Sequence, residues 1–218
     1  MKDIPVIRGR NYITALVAEG EHEHQDFKFL ISDARKIARS ISAFANAGGG
    51  HLLIGVKDNG TLAGVRNDED IYVVEQAAGR YCDPPQQVEF TAFRIDRGVV
   101  VIRASIPRAA VRPVRVIEAD GQRRAYYRVA DENIVAHPLM QRAWRLSDRG
   151  TVALQIDGDA SRLLALLAGE PDGLDVRDIA LSLAVSERRA ETMIVRLVAA
   201  GVLGFAYRAP RFVIVAAQ

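Results

Sequence analysis

Over the first two thirds of the chain, the hydrophobic pattern predicts helices and strands in no regular alternation. Apolar residues three and four apart predict a helix that begins after the cap Asp33 and ends at Asn46. Residues 26–30 alternate polar and apolar side chains, as a half-buried strand does. Similar signals predict helices at 12–18 and 68–81, and strands at 51–57, 62–65, 88–95, 99–106, 114–117 and 124–129. This mixture favours the α+β class.

The last third of the chain has a different, mainly helical pattern. Three helices are predicted at 161–168, 176–184 and 187–200, the third capped by Ser186, and two short strands follow at 202–205 and 212–215. Three helices followed by a hairpin are typical of a winged helix. We therefore predict three parts, namely a mixed-sheet domain at 1–146, a linker at 147–158 and a small winged-helix domain at 159–218.

Composition narrows the classes of protein without choosing a function. The chain has 218 residues, of which 49% are apolar and 26% charged, so we expect a folded globular protein. Its single cysteine excludes a disulfide framework, no segment approaches the ~18 apolar residues of a membrane span, and no signal peptide is evident. We expect a cytoplasmic protein without a membrane partner. The net charge of +2 means that any nucleic-acid surface must be a local one.

Carboxylates and one lysine fall near the ends of two predicted strands. Glu21 precedes Asp26 by five residues, Asp26 and Lys28 share one face of their strand, and Asp58 follows the next strand. If these strands are neighbours, three carboxylates meet at one sheet edge, where Mg²⁺ or Mn²⁺ would relieve their repulsion. Such an ion activates water and polarises a phosphodiester, and the lysine would stabilise the phosphoryl charge. The alternative is that all four are solvated turn and strand-edge residues.

Several short blocks, in the same order and spacing, resemble the Schlafen-like AlbA-type nucleic-acid-binding domain family. The resemblance covers residues 10 to about 137, and its strong motifs lie between 21 and 65. The blocks are Glu21 with Asp26–Lys28, Ser42–Asn46 with Gly49–Gly50, Leu53–Gly60, Gly64–Val65 and, in a late strand, Tyr126–Val129.

The resemblance implies roles for the same four residues. Members that cleave RNA use two acids five residues apart, a lysine and a later aspartate, which correspond here to Glu21, Asp26, Lys28 and Asp58. The family usually has glutamate where this chain has Asp26, so metal contact there would need a water bridge or would be lost. Relatives often carry ATP-binding labels, but the glycines at 48–50 follow a helix and precede a strand, the reverse of a P-loop, so we expect no ATP.

Basic residues suit contact with nucleic acid in both predicted domains. Arginines bind phosphates and tyrosines stack on bases. In the first domain the expected contacts are Arg103, Arg112, Arg115, Arg124, Tyr127 and Arg128, and in the third helix of the second domain they are Arg188, Arg189, Thr192 and Arg196. The alternative is that the strand arginines only solvate the outer face of a sheet, and that the winged helix serves in dimerisation or docking.

These patterns lead to two expected functions. The first is a nucleic-acid-binding protein of the Schlafen-like family, with metal-dependent endoribonuclease activity on structured RNA. The second is a transcription regulator without catalytic activity, whose winged helix reads DNA. Longer relatives clasp nucleic acid between two similar lobes, so we expect this chain, with one lobe, to form a homodimer.

Overall fold

The computed structural model describes residues 4–66, 68–150 and 156–217, and the chain divides into two compact units, Met1–Ala136 and His137–Gln218. Both helices and mixed sheets are present, which confirms the predicted α+β class. Within the described part of the chain, no helix combines the length and the apolar composition that crossing a membrane requires.

In unit 1 the helices are few and the strands form two sheets. The helices are α1 (Arg10–Glu19), α2 (Ala34–Asn46) and α3 (Glu69–Gln76), the last continued by a π-helical turn at Ala77–Tyr81. The strands are β1 (Val6–Arg8), β2 (Gln25–Lys28), β3 (Gly50–Ile54), β4 (Cys82–Asp83), β5 (Glu89–Asp96), β6 (Val99–Ile106), β7 (Arg115–Ile117), β8 (Arg123–Val129) and β9 (Glu132–Val135).

The larger sheet has five strands in the order β1-β5-β6-β3-β2, and the smaller has four in the order β4-β7-β8-β9. Strands β2 and β3 are parallel, with Gln25 opposite His51 and Lys28 opposite Ile54. Strand β3 is antiparallel to β6, with His51 opposite Ser105. The condition that these two strands are neighbours is therefore met.

Helix α2 is the centre of unit 1 because it packs against both sheets. Asp33 caps it, accepting hydrogen bonds from the backbone amides of Arg35 (2.9 Å) and Lys36 (3.2 Å). From Ser40 to Asn46 every residue is buried, including the polar ones. Its apolar residues form one cluster with those of the larger sheet, of the smaller sheet and of α3. This cluster is the main hydrophobic core.

The opposite face of the larger sheet carries a smaller core under α1. Ile13 of α1 is fully buried and packs with Phe27, Leu53 and Phe93 from three different strands. Because side chains alternate along a strand, Phe27 points toward α1 while Asp26 and Lys28 point toward α2. Strand β2 thus buries an apolar face on one side and presents an acid and a base on the other.

Unit 2 has four helices in its described residues, followed by a hairpin. The helices are α4 (Pro138–Ser147), α5 (Gly158–Ala168), α6 (Val176–Leu183) and α7 (Glu187–Ala199), and the strands are β10 (Leu203–Arg208) and β11 (Arg211–Ala216). Leu174 pairs with Ile214 in an isolated antiparallel bridge beside the hairpin. The core combines side chains of all four helices and both strands.

The structure differs from the predicted elements in several places. Residues 62–65, predicted as a returning strand, form only an isolated bridge between Val56 and Leu62, because the chain leaves the sheet at Gly55 (φ 94°). Helix α4 lies within the predicted first domain, yet Leu139 and Ala143 belong to the core of unit 2. Of the predicted linker at 147–158, residues 151–155 lie outside the described residues.

Candidate functional site

A tight turn before β2 brings the first two predicted carboxylates together. His22 and Gln25 pair through both backbone hydrogen bonds, His22 N to Gln25 O at 3.0 Å and Gln25 N to His22 O at 3.2 Å. The reversal returns Glu21 to the strand, where its Oε1 accepts a 2.7 Å hydrogen bond from the Phe27 amide. Glu21 is thereby held beside Asp26.

Asp26 lies in a ring of cationic and hydroxyl groups. The Lys28 Nζ is 2.8 Å from Asp26 Oδ2, and an Arg128 terminal nitrogen is 3.4 Å from Oδ1. The Ser40 hydroxyl lies 3.3 Å from Oδ2. The Asp26 side chain is only 6% exposed and that of Arg128 1%, whereas that of Lys28 is 31% exposed. Asp26 is thus a buried carboxylate with two cationic partners already in place.

The two carboxyls have opposite electrostatic environments. Burial, together with the neighbouring Asp26, raises the pKa of Glu21 above its usual value. Burial also acts to raise the pKa of Asp26, but hydrogen bonding with Glu21 and the charges of Lys28 and Arg128 outweigh it, so that pKa is lowered. Of the two groups, Glu21 is therefore the one suited to exchange a proton.

Next to this pair lies an open cleft of about 440 Å³. Its basic lining includes Lys28 and two residues one turn apart on α2, Lys36 and Arg39. The Arg39 guanidinium is bidentate to Glu118, at 2.9 and 2.7 Å, with the Glu118 side chain only 2% exposed. Lys36 and Arg39 are not among the predicted contacts, although their spacing on the polar face of a predicted helix was a usable signal.

Asp58 does not join the other carboxylates. It lies in an exposed turn beyond the end of β3, and no three His, Cys, Asp or Glu side chains among residues 4–66, 68–150 and 156–217 lie close enough together to hold a metal ion. Both oxygens of Asp26 already face cationic or hydroxyl groups. The residues present therefore do not fit the predicted Mg²⁺ or Mn²⁺ site of Glu21, Asp26 and Asp58.

The predicted nucleic-acid contacts of unit 1 separate into two groups. Arg128 is buried against Asp26 and Phe44, and Arg112 is 8% exposed with a terminal nitrogen 3.2 Å from the Asn46 carbonyl oxygen. These two were expected at the surface, but they are buried because each supplies cationic hydrogen bonds to groups around α2. More exposed are Arg103, Arg115, Arg124 and Tyr127.

Helix α7 exposes all four of its predicted contacts, Arg188, Arg189, Thr192 and Arg196. Its other face is buried, as the apolar spacing predicted. Arg189 is paired within the unit, since its guanidinium lies 3.1 Å from Asp157 and 3.0 Å from Asp159. No hydrogen bond or ion pair of the Arg188 and Arg196 side chains occurs within the described residues.

The family motif at 42–46 is explained by packing. The Ser42 hydroxyl donates to the Val114 carbonyl (2.8 Å) and accepts from the Tyr126 amide (3.0 Å). The Asn46 amide group donates to the carbonyls of Val114 and Tyr126, each at 2.9 Å, and its oxygen accepts from the Val114 amide at 2.7 Å. These two buried side chains hold α2 against the segments that carry Val114 and Tyr126.

Comparison with known proteins shows the family of the chain. The model of the Schlafen, AlbA_2 family matches residues 21–137, more than half of the chain, and the protein belongs to that family. Membership supports a role in nucleic-acid binding. No curated protein matches the chain significantly.

One solved structure is similar over most of the chain. The DIP2311 protein from Corynebacterium diphtheriae matches with 18% identity and a TM-score of 0.45. The match covers 88% of this chain and 34% of that protein. The chain therefore spans about a third of its length.

Proposed function

We propose that the protein binds nucleic acid, and that unit 2 is a winged helix whose α7 contacts DNA. The observation that carries this proposal is the row of exposed basic side chains on α7, above all Arg188 and Arg196. Unpaired arginines on one helix face are suited to phosphate and base contacts.

The order of elements in unit 2 supports a winged helix. Three helices, α5 to α7, precede the β10–β11 hairpin, and Leu174 forms an isolated bridge to Ile214 beside it. In such a module the third helix enters the major groove and the hairpin lies along the backbone. Arg208 and Arg211 at the hairpin tip are both exposed, and Arg211 lies 3.1 Å from Asp175.

Charge reversal on α7 tests this assignment. The double variant Arg188→Glu with Arg196→Glu should bind duplex DNA at least about tenfold more weakly than the native protein. The slope of log affinity against log salt should fall by about two, since two phosphate contacts are lost. The double variant Arg145→Glu with Arg149→Glu changes the charge equally at two exposed arginines elsewhere in unit 2 and is the matched control. Equal affinity of native protein and double variant would reject α7 as the DNA contact.

Cleavage of structured RNA at the cleft is a second candidate function, and the opposite pKa shifts of Glu21 and Asp26 favour it. In this reaction the Glu21 carboxylate would accept the proton of the attacking hydroxyl as that oxygen bonds to phosphorus, while the P–O bond to the leaving oxygen breaks and the leaving oxygen takes a proton from water. Lys28 would contact the phosphate, and Asp26 would hold the ammonium of Lys28 in position. The described residues do not fit a metal ion, so no step is assigned to one.

Transfer RNA is a suitable probe for this second function. Native protein should nick it, and Glu21→Gln, which keeps the size of the side chain, should not. Parallel reactions with EDTA and with Mn²⁺ show whether an ion takes part. If native protein and Glu21→Gln behave alike in both, the carboxylate pair is structural and binding alone remains.

Homodimer formation stays a prediction, which we base on the resemblance to longer relatives that have two lobes where this chain has one. Two copies would provide two clefts and two α7 helices, which suits a nucleic acid with two-fold symmetry. Light scattering at micromolar concentration, with and without nucleic acid, measures it directly, and a monomer in both conditions would remove it.

A further inference from the structure

A shallow depression lies at the end of the larger sheet, away from the cleft beside Asp26 and Lys28. It has a volume of about 410 Å³ and is lined by His24, Gly48–Gly50, His51, Arg103 and Ser105, which we call the Arg103 pocket. His51 and Ser105 are opposite each other on β3 and β6. Arg103 lies two residues before Ser105 and thus on the same face of the sheet.

Arg103 has an unusual set of partners for a strand arginine. It donates to the Tyr12 hydroxyl and its guanidinium lies 5.6 Å from the Tyr12 ring centre. Its Nε is buried and donates no hydrogen bond within the described residues, which also provide it with no carboxylate partner. A guanidinium without a carboxylate partner keeps its charge available to an anion that reaches its terminal nitrogens.

Several other arginines of unit 1 form ion pairs with carboxylates. Arg39 pairs with Glu118, Arg123 with Asp83 at 2.6 Å and Arg124 with Asp120 at 2.6 Å. In the Arg103 pocket the ring of Tyr12, and not a carboxylate, lies beside the guanidinium. The guanidinium is thus fixed in place while its charge stays uncompensated by a carboxylate.

The two histidines are held in defined tautomers. The Gln25 side-chain amide donates to the carbonyls of Leu16 (2.7 Å) and Gly20 (2.6 Å), so its oxygen must accept from His51 Nε2 at 2.8 Å. His24 Nδ1 lies 2.8 Å from the Gly49 carbonyl oxygen and therefore donates to it. Burial and the nearby charge of Arg103 lower the pKa of His51 to about 4. His51 is therefore neutral near pH 7 and adds no second charge to the pocket.

Glycines form the rim of the pocket and keep it open. Gly49 has a left-handed backbone (φ 87°), and a Cβ there would lie 3.0 Å from both Arg108 N and Ile106 O. Gly48 is exposed, and a Cβ there would lie 2.9 Å from the ring of His24. A larger residue at either position would disturb the pocket wall, and the absence of side chains leaves room for a tetrahedral anion beside the ring of His24.

We infer that the Arg103 pocket binds a backbone phosphate of nucleic acid, with Arg103 as the charged donor and the Ser105 hydroxyl as a second one. The inference rests on the proposed nucleic-acid binding and adds a contact in unit 1, separate from α7. An exposed acid, Glu89, lies opposite Ser105 on the neighbouring strand β5 and opposes the anion. Its removal is therefore expected to strengthen binding.

Fluorescence anisotropy with labelled duplex DNA and single-stranded RNA, across a range of salt concentrations, tests the pocket in the full chain. Arg103→Gln should weaken binding about tenfold and lower the salt slope by about one. Arg94→Gln, an exposed arginine on the same sheet, should change affinity by less than about twofold, and Glu89→Gln should raise it. Circular dichroism confirms that each variant is folded.

The outcomes separate this inference from the proposed function. If native protein binds nucleic acid and folded Arg103→Gln binds equally well with the same salt slope, the inferred phosphate contact is wrong and the proposed function is retained. If native protein binds no nucleic acid, the proposed function fails, and inorganic phosphate becomes the probe. Imidazole NMR signals of His24 and His51 that shift with phosphate in native protein, but not in Arg103→Gln, then support the pocket as an anion site. Their lack of response rejects it.

Discussion

The Lys28 ammonium lies 2.8 Å from the Asp26 carboxylate, at the position where the sequence predicted a divalent cation. Arg128 approaches the other oxygen of the same carboxylate at 3.4 Å. A cluster of acids in the interior is unstable unless cations join it, and here the chain supplies them itself. Asp26 and Lys28 of β2 thus form an ion pair within the fold, and the partly exposed Lys28 lines the cleft.

Replacing Arg128 tests how far the fold depends on this ion pair. Arg128→Met keeps most of the volume but removes a buried cation and its hydrogen bonds to the carbonyl of Gln25 (3.3 Å) and the side chain of Asn133 (3.0 Å). The free energy of unfolding, measured with urea, should fall by about 3–5 kcal/mol, because Asp26 loses one of its two cations.

Arg124→Met is the matched control for that variant. Arg124 is on the same strand and pairs with Asp120, but this pair is much more exposed to solvent. Its loss should cost no more than about 1 kcal/mol. Equal effects of the two substitutions would show that the Arg128 pair contributes no more than a surface pair.

Asn46 should be as important for stability as an apolar core residue. It is fully buried and binds the backbone of two strands of the smaller sheet through Val114 and Tyr126. Asn46→Ala removes the side-chain partner of the Val114 amide and of the Tyr126 carbonyl, at about 1–3 kcal/mol for each group that water cannot reach, while the Val114 carbonyl keeps its hydrogen bond from Ser42. We expect a loss of about 3 kcal/mol or more in urea unfolding.

The exposed Gln87 supplies the comparison for Asn46. Gln87→Ala removes the same kind of side chain from the surface of the same unit, and should change the free energy of unfolding by less than about 0.5 kcal/mol. A result for Asn46→Ala within that range would mean that the Asn46 side chain does not stabilise the packing of α2 on the smaller sheet.

The sequence pattern predicted helices and strands well, but it did not predict which distant side chains pair with each other. Helix α2 was predicted with its cap because the signals, Asp33 and the apolar spacing, are local. The pairing of Asp26 with Arg128 was not predictable, since the two residues are far apart in the chain and meet only when both sheets pack on α2. The prediction that Asp58 joins Glu21 and Asp26 was wrong because the chain leaves the sheet at Gly55, which has a left-handed backbone. No local sequence signal shows the direction in which the chain leaves.

Short strands were missed for a related physical reason. Strands β1 and β4, of three and two residues, and the strand β9 are stabilised by pairing with neighbours rather than by their own pattern. β9 carries Asn133, whose side chain links Arg128 to Ser40 at 3.0 Å on each side. One wall of the candidate site thus comes from a segment that the sequence pattern did not predict as a strand.

The buried Glu118 predicts a specific response to acid. Hydrogen bonds from Arg39, followed by that from Tyr126, lower its pKa against the opposing effect of burial. A carboxyl with a lowered folded-state pKa stabilises the protein above its unfolded-state value, about 4.3, and this contribution is lost as the pH falls through the folded-state pKa. The native protein should therefore lose stability below about pH 4.3 in part because Glu118 becomes protonated.

Urea unfolding between pH 7 and pH 3 isolates this contribution. Glu118→Gln should be less stable than native protein at pH 7, and the difference should shrink in acid by up to about 1.4 kcal/mol per pH unit. Tyr126→Phe, which removes one donor at 2.5 Å, should behave in an intermediate way. Parallel curves for native protein and Glu118→Gln would contradict the assignment.

Asp159 should weaken the contact of unit 2 with DNA, because it binds an arginine of α7. The Arg189 guanidinium lies 3.0 Å from Asp159, and a phosphate must compete with this pair. Asp159→Asn should therefore raise the affinity for duplex DNA about two- to fivefold in fluorescence anisotropy, which corresponds to an exposed pair of up to about 1 kcal/mol. Asp172→Asn removes one negative charge from an exposed turn of the same unit and is the matched control. The same increase in both variants would indicate a general charge effect, and an increase in Asp159→Asn alone would show that the acid competes for Arg189.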